Sequence, residues 1–191
     1  MLTVLVIDES RSRAGEICAG LALAGYQVAA ILAGSENLTA EVEKLQPDVI
    51  LIDTDSPSRD TLEHLAAMNK NMPRPVVIFT QEDGQATIRD AVKAGVSAYI
   101  VDGLDPKRIK PIVEVARARF EDTQALRREL DEISQKLSDR KLVDKAKGVL
   151  MKARGLDEDA AYHAMRKLAM ERGQTMAKVA RDVIDMARVL L

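Results

Sequence analysis

The sequence predicts an α/β domain built on a five-stranded, doubly wound parallel sheet, followed by a long coiled-coil helix and an all-α three-helix bundle. Three observations support this. Short apolar runs alternate with helix-like segments up to residue 105, the apolar period lengthens to that of a helix beyond it, and the charge changes sign there. Residues 1–105 carry 16 Asp or Glu against 8 Lys or Arg, whereas residues 106–191 carry 14 against 20. An acidic half joined to a basic half suggests two tasks, with a polyanion as partner for the second.

Five short apolar runs are predicted to be the strands of the sheet, because most are apolar on both faces, as strands covered by helices on both sides require. They are residues 2–7, 26–32, 49–52, 76–80 and 98–101. Helix starts are expected at Ser10, Ser35, Ser58 and Asp105. Two glycines, Gly25 and Gly95, stand where helices are expected to end.

Polar residues end three of these strands. Asp8 and Glu9 follow the first strand, Asp53 follows the third and Thr80 ends the fourth. Because ligands of such sheets bind at the carboxyl ends of the strands, these side chains are expected to converge, and a hard cation such as Mg²⁺ would relieve the repulsion between the carboxylates. Asp53 could then act as a nucleophile toward a phosphoryl group, with the Thr80 hydroxyl donating to it. The alternative is that these residues are only helix caps and solvated strand ends.

Residues 1–105 resemble the response-regulator receiver domain, which has the CheY-like fold. In that family an acidic pair after the first strand binds Mg²⁺, the Asp after the third accepts phosphate from a histidine kinase, and a Ser or Thr after the fourth contacts the phosphate. Asp8 with Glu9, Asp53 and Thr80 stand at those positions.

The resemblance fails at one position. Tyr99 takes the place of the family's aromatic switch residue, but the Lys-Pro that follows the fifth strand is replaced here by Asp102 and a glycine. An ammonium there would stabilise a phosphorylated aspartate, whereas Asp102 would repel it. The replacement therefore argues against phosphorylation as the switch and favours control by contact with a protein.

Residues 106–137 are predicted to form a coiled-coil linker helix and to pair two chains in a parallel dimer. The seam positions alternate at spacings of three and four: Ile109, Ile112, Ala116, Arg119, Thr123, Leu126, Leu130, Ile133 and Leu137. Pro111 is expected to kink the helix or to tighten its first turn. The alternative is a helix that folds back on its own receiver domain, which residues beyond about 120 would outrun at 1.5 Å per residue.

Residues 138–191 are predicted to form a domain of three short helices. The first is expected to start at Ser138 and end at Gly155, the second to start at Asp157 and end near Gly173, and the third to be capped by Thr175. This stretch has no metal-ligand spacing, no phosphate loop and no nucleophile beside a base, and His64 and His163 stand alone in the sequence. The chain is therefore predicted not to be an enzyme, and its exposed cations point to binding.

The last third resembles the ANTAR domain, named for amide- and nitrate-pathway antitermination regulators. The runs that carry the resemblance are KAKGVLM at residues 145–151, EDAAY at 158–162, RKLAM at 166–170 and VA at 179–180. Members of that family bind paired stem-loops in a nascent leader RNA, so that a terminator hairpin cannot form and transcription continues. The resemblance thus implies an RNA partner for the basic half.

Carried over position by position, the resemblance assigns the RNA-binding face to Lys145, Ala146, Lys147, Gly148, Tyr162 and Arg166. The lysines would neutralise phosphates, the small residues would admit the RNA backbone, and a loop base could stack on the aromatic ring. The alternatives are close helix packing for Ala146 and Gly148, and a place in the bundle core for Tyr162.

The replaced Lys-Pro resembles the nitrate-responsive antiterminators, in which a cytoplasmic nitrate sensor holds the regulator inactive. The resemblance implies a regulator of nitrate or nitrite assimilation genes, gated by its receiver half. The alternative is a phosphorylation-driven adaptor in which Asp53 accepts phosphate and the basic bundle binds a protein. A third possibility is that the same helices bind duplex DNA. With no long apolar run and no export signal at Met1, the chain is expected to be cytoplasmic and not inserted in a membrane.

Overall fold

The computed structural model describes residues 1–9, 13–101 and 105–190. The chain divides into two compact units, Met1–Gln124 and Ala125–Leu191. Among the described residues, no helix has the length and apolarity needed to cross a bilayer.

The first unit contains the predicted five-stranded parallel sheet, with strand order β2-β1-β3-β4-β5. The strands are β1 (Thr3–Asp8), β2 (Gln27–Leu32), β3 (Val49–Asp53), β4 (Val76–Thr80) and β5 (Ala98–Val101). The helices between and after them are α1 (Ala14–Leu23), α2 (Leu38–Leu45), α3 (Arg59–Asn71), α4 (Gln85–Lys93) and α5 (Ile109–Arg154). The fold class is confirmed, and β1 and β3 each reach one residue further than predicted, as far as the aspartate that ends them.

Helices cover both faces of the sheet because side chains alternate along each strand. On one face, α1 and α5 pack on the strands through a cluster that includes Val6, Ile17, Leu51, Phe79 and Val113. On the other face, α2, α3 and α4 pack through Ile7, Val42, Ile52, Leu65 and Ala91. β3 and β4 are buried along their whole length, which explains why both read as unbroken apolar runs.

The predicted helix starts are correct where the serine side chain faces the helix. Ser58 caps α3 and accepts a hydrogen bond from the backbone N–H of Thr61 at 3.0 Å. Ser35 does not cap α2, which begins at Leu38. Its side chain is buried, and its Oγ lies 3.0 Å from His64 Nδ1, so it contacts α3. Ser10 lies outside the described residues.

The linker and the first bundle helix form one continuous helix, so the start predicted at Ser138 is wrong. No glycine or proline stands between residues 112 and 147 to interrupt α5. Pro111 lies in the first turn of α5, where its missing N–H has no intrahelical partner to lose. The entering turn is tight, as expected, with Arg108 N–H donating to the Asp105 carbonyl at 2.9 Å.

The predicted seam divides into two parts. Ile109 and Ala116 are fully buried against the sheet of their own unit, as the fold-back alternative requires. Further along, Leu126, Leu130, Ile133 and Leu137 are each more than half exposed. The apolar residues of this later part, which we call the exposed seam of residues 126–137, are therefore free to meet another helix.

The second unit contains the end of α5 with α6 (Glu158–Arg172) and α7 (Met176–Leu190). Its core consists of Ala146, Met165, Ala169, Val179, Ala180 and Ile184. Asp157 caps α6 through the N–H of Ala160 at 2.7 Å, and Thr175 caps α7 through the N–H of Lys178 at 3.2 Å. Gly155 and Gly173 have positive φ angles of 64° and 59°, so each ends a helix in the left-handed conformation that was expected of it.

Candidate functional site

The first candidate site is an acidic pocket at the carboxyl edge of the sheet. Asp8 and Asp53 are register partners on the neighbouring strands β1 and β3, and both are almost fully buried. Thr80, also buried, ends β4 beside them in the sheet order, and its hydroxyl donates to the Asp55 carbonyl at 2.8 Å. The structure thus brings three of the four predicted strand-end residues to one edge.

Glu9, the fourth of these residues, is held by two hydroxyl groups. Thr54 Oγ1 donates to Glu9 Oε2 at 2.7 Å, and Thr61 Oγ1 donates to Glu9 Oε1 at 2.8 Å. Within the described part of the chain, no three Asp, Glu, His or Cys side chains are grouped so as to hold a metal ion. The predicted set of Asp8, Glu9 and Asp53 is therefore not assembled as a metal site in this arrangement.

Arg13, which precedes α1, supplies a cation that the sequence did not reveal. Its Nε lies 2.9 Å from Asp53 Oδ2, and its Nη2 lies 3.6 Å from Asp55 Oδ1. The pKa of Asp53 is nevertheless raised, mainly because burial penalises its charge and also because Asp8 repels it, while Arg13 acts in the opposite direction. The sequence signal for this cation is a pair of arginines, Arg11 and Arg13, just after β1.

Two of the predicted switch residues, Thr80 and Tyr99, form hydrogen bonds with the loop after β4. The Tyr99 hydroxyl donates to the Glu82 carbonyl at 3.0 Å, and the Glu82 N–H donates to Thr80 Oγ1 at 3.2 Å. The Tyr99 ring packs against the core on the α2, α3 and α4 face, and this burial is the main reason that its pKa is raised. Asp102, predicted to replace the family's lysine, lies outside the described residues.

The second candidate site is the surface formed by the end of α5 and by α6. Lys145 is exposed. Ala146 is fully buried in the bundle core, so its prediction as an RNA contact is corrected: its small side chain serves close helix packing. Lys147 Nζ lies 2.8 Å from Asp144 Oδ1 and 2.7 Å from Glu158 Oε1. These two carboxylates, Asp144 first, raise the pKa of Lys147, and the second ion pair joins α5 to the first turn of α6.

Gly148 lies in the middle of a helical stretch with open space beside it. A methyl group added to its Cα would meet nothing within 4 Å, so packing does not explain the glycine. Tyr162 is 40% exposed and is therefore not a core residue. Its ring meets His163 edge to face, with centroids 5.9 Å apart, so His163 is not the isolated side chain that the sequence suggested.

Arg166 is exposed one helical turn beyond Tyr162, which is itself one turn beyond Glu158. The ion pair between Glu158 and Lys147 places the first residue of this row beside α5. Lys167 and Met170, which stand in the run RKLAM that carries the resemblance, are also exposed on α6. We call the exposed side chains of Lys145, Tyr162, His163, Arg166 and Lys167, together with Gly148, the α5–α6 surface.

The comparisons with known proteins cover both units. Residues 4–114 match the response regulator receiver domain family, and residues 131–184 match the ANTAR domain family. The transcriptional regulatory protein PdtaR of Mycobacterium tuberculosis is 29% identical over 161 residues, which are 84% of this chain and 78% of that protein. The nitrate regulatory protein of Klebsiella oxytoca is 36% identical over 75 residues, which are 39% of this chain and 19% of that protein.

A solved CheY-like receiver domain from Methanospirillum hungatei shares the fold at 19% identity, with a TM-score of 0.56 over 64% of this chain and 98% of its own. The receiver family model covers more than half of the chain. The chain therefore belongs to the response regulator receiver family and carries a receiver domain followed by an ANTAR domain.

Proposed function

We propose that this protein is an RNA-binding regulator of transcription antitermination, in which the receiver domain controls the access of the ANTAR domain to stem-loops of a leader transcript. The observation that carries the proposal is the α5–α6 surface. It combines an exposed aromatic ring and exposed cations on successive turns of α6 with an exposed lysine and a helix position without a side chain in the last third of α5.

Such a surface suits unpaired loop nucleotides. A base released from stacking can lie on the Tyr162 ring or on the Arg166 guanidinium, while Lys145 and Lys167 neutralise the flanking phosphates. Gly148 would let the RNA backbone approach α5 closely. Lys147 has a different role in this proposal, because its charge is already shared by two carboxylates and it joins two helices.

The proposal is tested by measuring binding of the full-length protein to an RNA with two stem-loops and six-base loops. Lys145→Glu and Arg166→Glu are each expected to weaken binding, and Lys145→Glu is also expected to lower the slope of log affinity against log salt by about 1, since it removes one phosphate contact. Lys44→Glu is the matched control, because it makes the same charge change on the exposed side of α2 and should leave binding unchanged.

Equal binding by the three variants would contradict the assignment of the α5–α6 surface. Equal binding of a duplex DNA, or of an RNA lacking the loops, would contradict recognition of loops. If acetyl phosphate labels Asp53 and the bundle then binds a protein but no RNA, the adaptor alternative is correct.

Dimerisation is part of the proposal, because paired stem-loops suit a paired protein. The exposed seam supports it, since Leu126, Leu130, Ile133 and Leu137 keep the spacing of coiled-coil contact positions and leave more than half of each side chain in water.

The partner that controls the receiver domain is proposed to be a protein, either a nitrate sensor or a histidine kinase. The similarity to the nitrate regulatory protein supports the first and, with it, nitrate or nitrite assimilation genes as targets. The raised pKa of Asp53 and the cation already beside it give phosphorylation less support.

Mg²⁺ is proposed as a ligand of the acidic pocket. Asp8 and Asp53 offer buried carboxylates, and Asp53 Oδ1 has no hydrogen-bond partner in the described part of the chain, which leaves one oxygen available. Glu9 would complete the set only after releasing Thr54 and Thr61. A bound Mg²⁺ would neutralise these carboxylates and would attract a phosphoryl group.

A further inference from the structure

Arg13 forms an ion pair with Asp53, one of the two buried carboxylates that would hold the proposed Mg²⁺. Asp53 is completely buried, and its Oδ2 lies 2.9 Å from Arg13 Nε. From this geometry we infer that Arg13 is a built-in counter-ion that competes with Mg²⁺ for Asp53 and thereby lowers the affinity of the pocket for divalent cations. The inference rests on the Mg²⁺ site proposed above.

Charge balance is the first argument. A carboxylate removed from water is stable only when it is paired, and here a second buried carboxylate, Asp8, stands at the register position beside it. The Arg13 guanidinium supplies compensating charge to Asp53 from within the chain. A divalent cation on Asp53 Oδ1 would face that guanidinium, paired with the other oxygen of the same carboxylate, at close range, so it binds less tightly unless Arg13 moves away.

The partial exposure of Arg13 supports its replacement by a metal ion at Asp53. The Arg13 side chain is 27% exposed, and its Nη2 also lies near the exposed Asp55 carboxylate. Arg13 is the N-cap residue of α1, and its carbonyl accepts a hydrogen bond from the Ile17 N–H at 2.9 Å, but its side chain caps none of the helix N–H groups. It can therefore leave Asp53 without the unfolding of a regular element.

The second argument is that Glu9, the third predicted metal ligand, is already hydrogen-bonded within the protein. Both carboxylate oxygens of Glu9 accept hydrogen bonds, from Thr54 just after β3 and from Thr61 on α3. A metal ion that recruits Glu9 must break these bonds, whereas one that does not recruit it has fewer ligands. Arg13 and the two threonines therefore oppose Mg²⁺ through separate interactions, one through charge and the other through hydrogen bonds.

The test is calorimetric titration of the full-length protein with MgCl₂ and, separately, MnCl₂. Arg13→Gln removes the charge and keeps a polar side chain, and it is expected to bind either ion at least about tenfold more tightly than wild type, which corresponds to about 1.4 kcal/mol. Arg13→Lys keeps the charge and is expected to remain close to wild type. Arg59→Gln is the matched control, because Arg59 forms an exposed ion pair with Glu63 on α3.

Thermal unfolding with and without MgCl₂ gives a second readout, in which Mg²⁺ should raise the melting temperature of Arg13→Gln more than that of wild type. If Arg13→Gln does not fold, Thr54→Val, which removes one of the bonds that hold Glu9, should still bind more tightly than wild type. Equal affinities of wild type and variants would overturn the role of Arg13 while leaving the proposed Mg²⁺ site in place. Absence of binding by every protein would overturn both.

Discussion

The substitution Gly148→Ala is expected to make the protein more stable and to make it bind RNA less well. Gly148 is helical, has no positive φ angle, and has open space where a side chain would extend. Alanine in a helix interior is favoured over glycine by about 0.5–1 kcal/mol, because glycine loses more backbone freedom on folding. With no contact to offset this gain, the local free energy of unfolding should rise by about that amount.

RNA binding should change in the opposite direction. If the RNA backbone approaches α5 at the bare Cα, an added methyl group holds it away, and affinity for a double stem-loop RNA should fall about tenfold, or about 1.4 kcal/mol. A merely structural glycine would not couple greater stability to weaker binding.

Two measurements on the full-length protein check this prediction. Hydrogen–deuterium exchange of the amides around Gly148 reports the local free energy of opening, and fluorescence anisotropy reports RNA affinity. Gly20→Ala on α1 is the matched control for the first measurement. Its new methyl carbon would lie 2.7 Å from Ile109 Cδ1 and 3.2 Å from the backbone Cα of Pro106, so that variant should lose stability. Slower exchange at Gly148→Ala with unchanged RNA affinity would refute the close approach, and faster exchange would refute the reasoning from open space.

Three further outcomes are expected. Tyr26→Phe removes the 2.9 Å hydrogen bond that the hydroxyl donates to Glu114 on α5, so urea unfolding should show a loss of about 1 kcal/mol. Burial, followed by the contact with Glu114, raises the pKa of Tyr26 to about 12, above its ordinary value of 10.0. The stabilisation is therefore complete below pH 10 and is lost as the pH rises toward 12. The free energy of unfolding of Tyr26→Phe should not fall over this range, and a similar fall would contradict the assignment. The double substitution of Leu130 and Ile133 by serine should abolish dimers in analytical ultracentrifugation without reducing helix content, because both side chains are exposed in one chain, and dimers that persist would exclude the exposed seam as their interface. Lys147→Met should speed amide exchange in the first turn of α6 because two ion pairs are lost, and unchanged exchange would show that this bridge does not fasten the helix.

The fold could be predicted from the sequence because the pattern of buried residues follows the spacing of apolar residues along each strand and helix. β3 and β4 are apolar on both faces and are buried on both, which is why their assignment needed no tertiary information. Gly155 and Gly173 ended helices as expected, since each adopts a left-handed conformation that other residues avoid. The first bundle helix was the exception, because a serine that resembles a helix cap can also lie inside a longer helix.

The candidate sites were predicted only in outline. Asp8 and Asp53 could be placed at one sheet edge from strand order alone, and their register confirms it. Whether Glu9 joins them depends on Thr54 and Thr61, which are 45 and 52 residues away and meet it only in the folded chain.

The amino-acid sequence by itself determined the parallel sheet, the long helix and the sign of charge on each half, because these follow from local periodicity and composition. Tertiary structure decided which side chains are available. It buried Ala146, neutralised Lys147 with two carboxylates, left Tyr162 at the surface, and brought Arg13 onto Asp53. The physical reason is that exposure and ion pairing depend on distances between helices and strands that are far apart along the chain, and no periodic pattern encodes those distances.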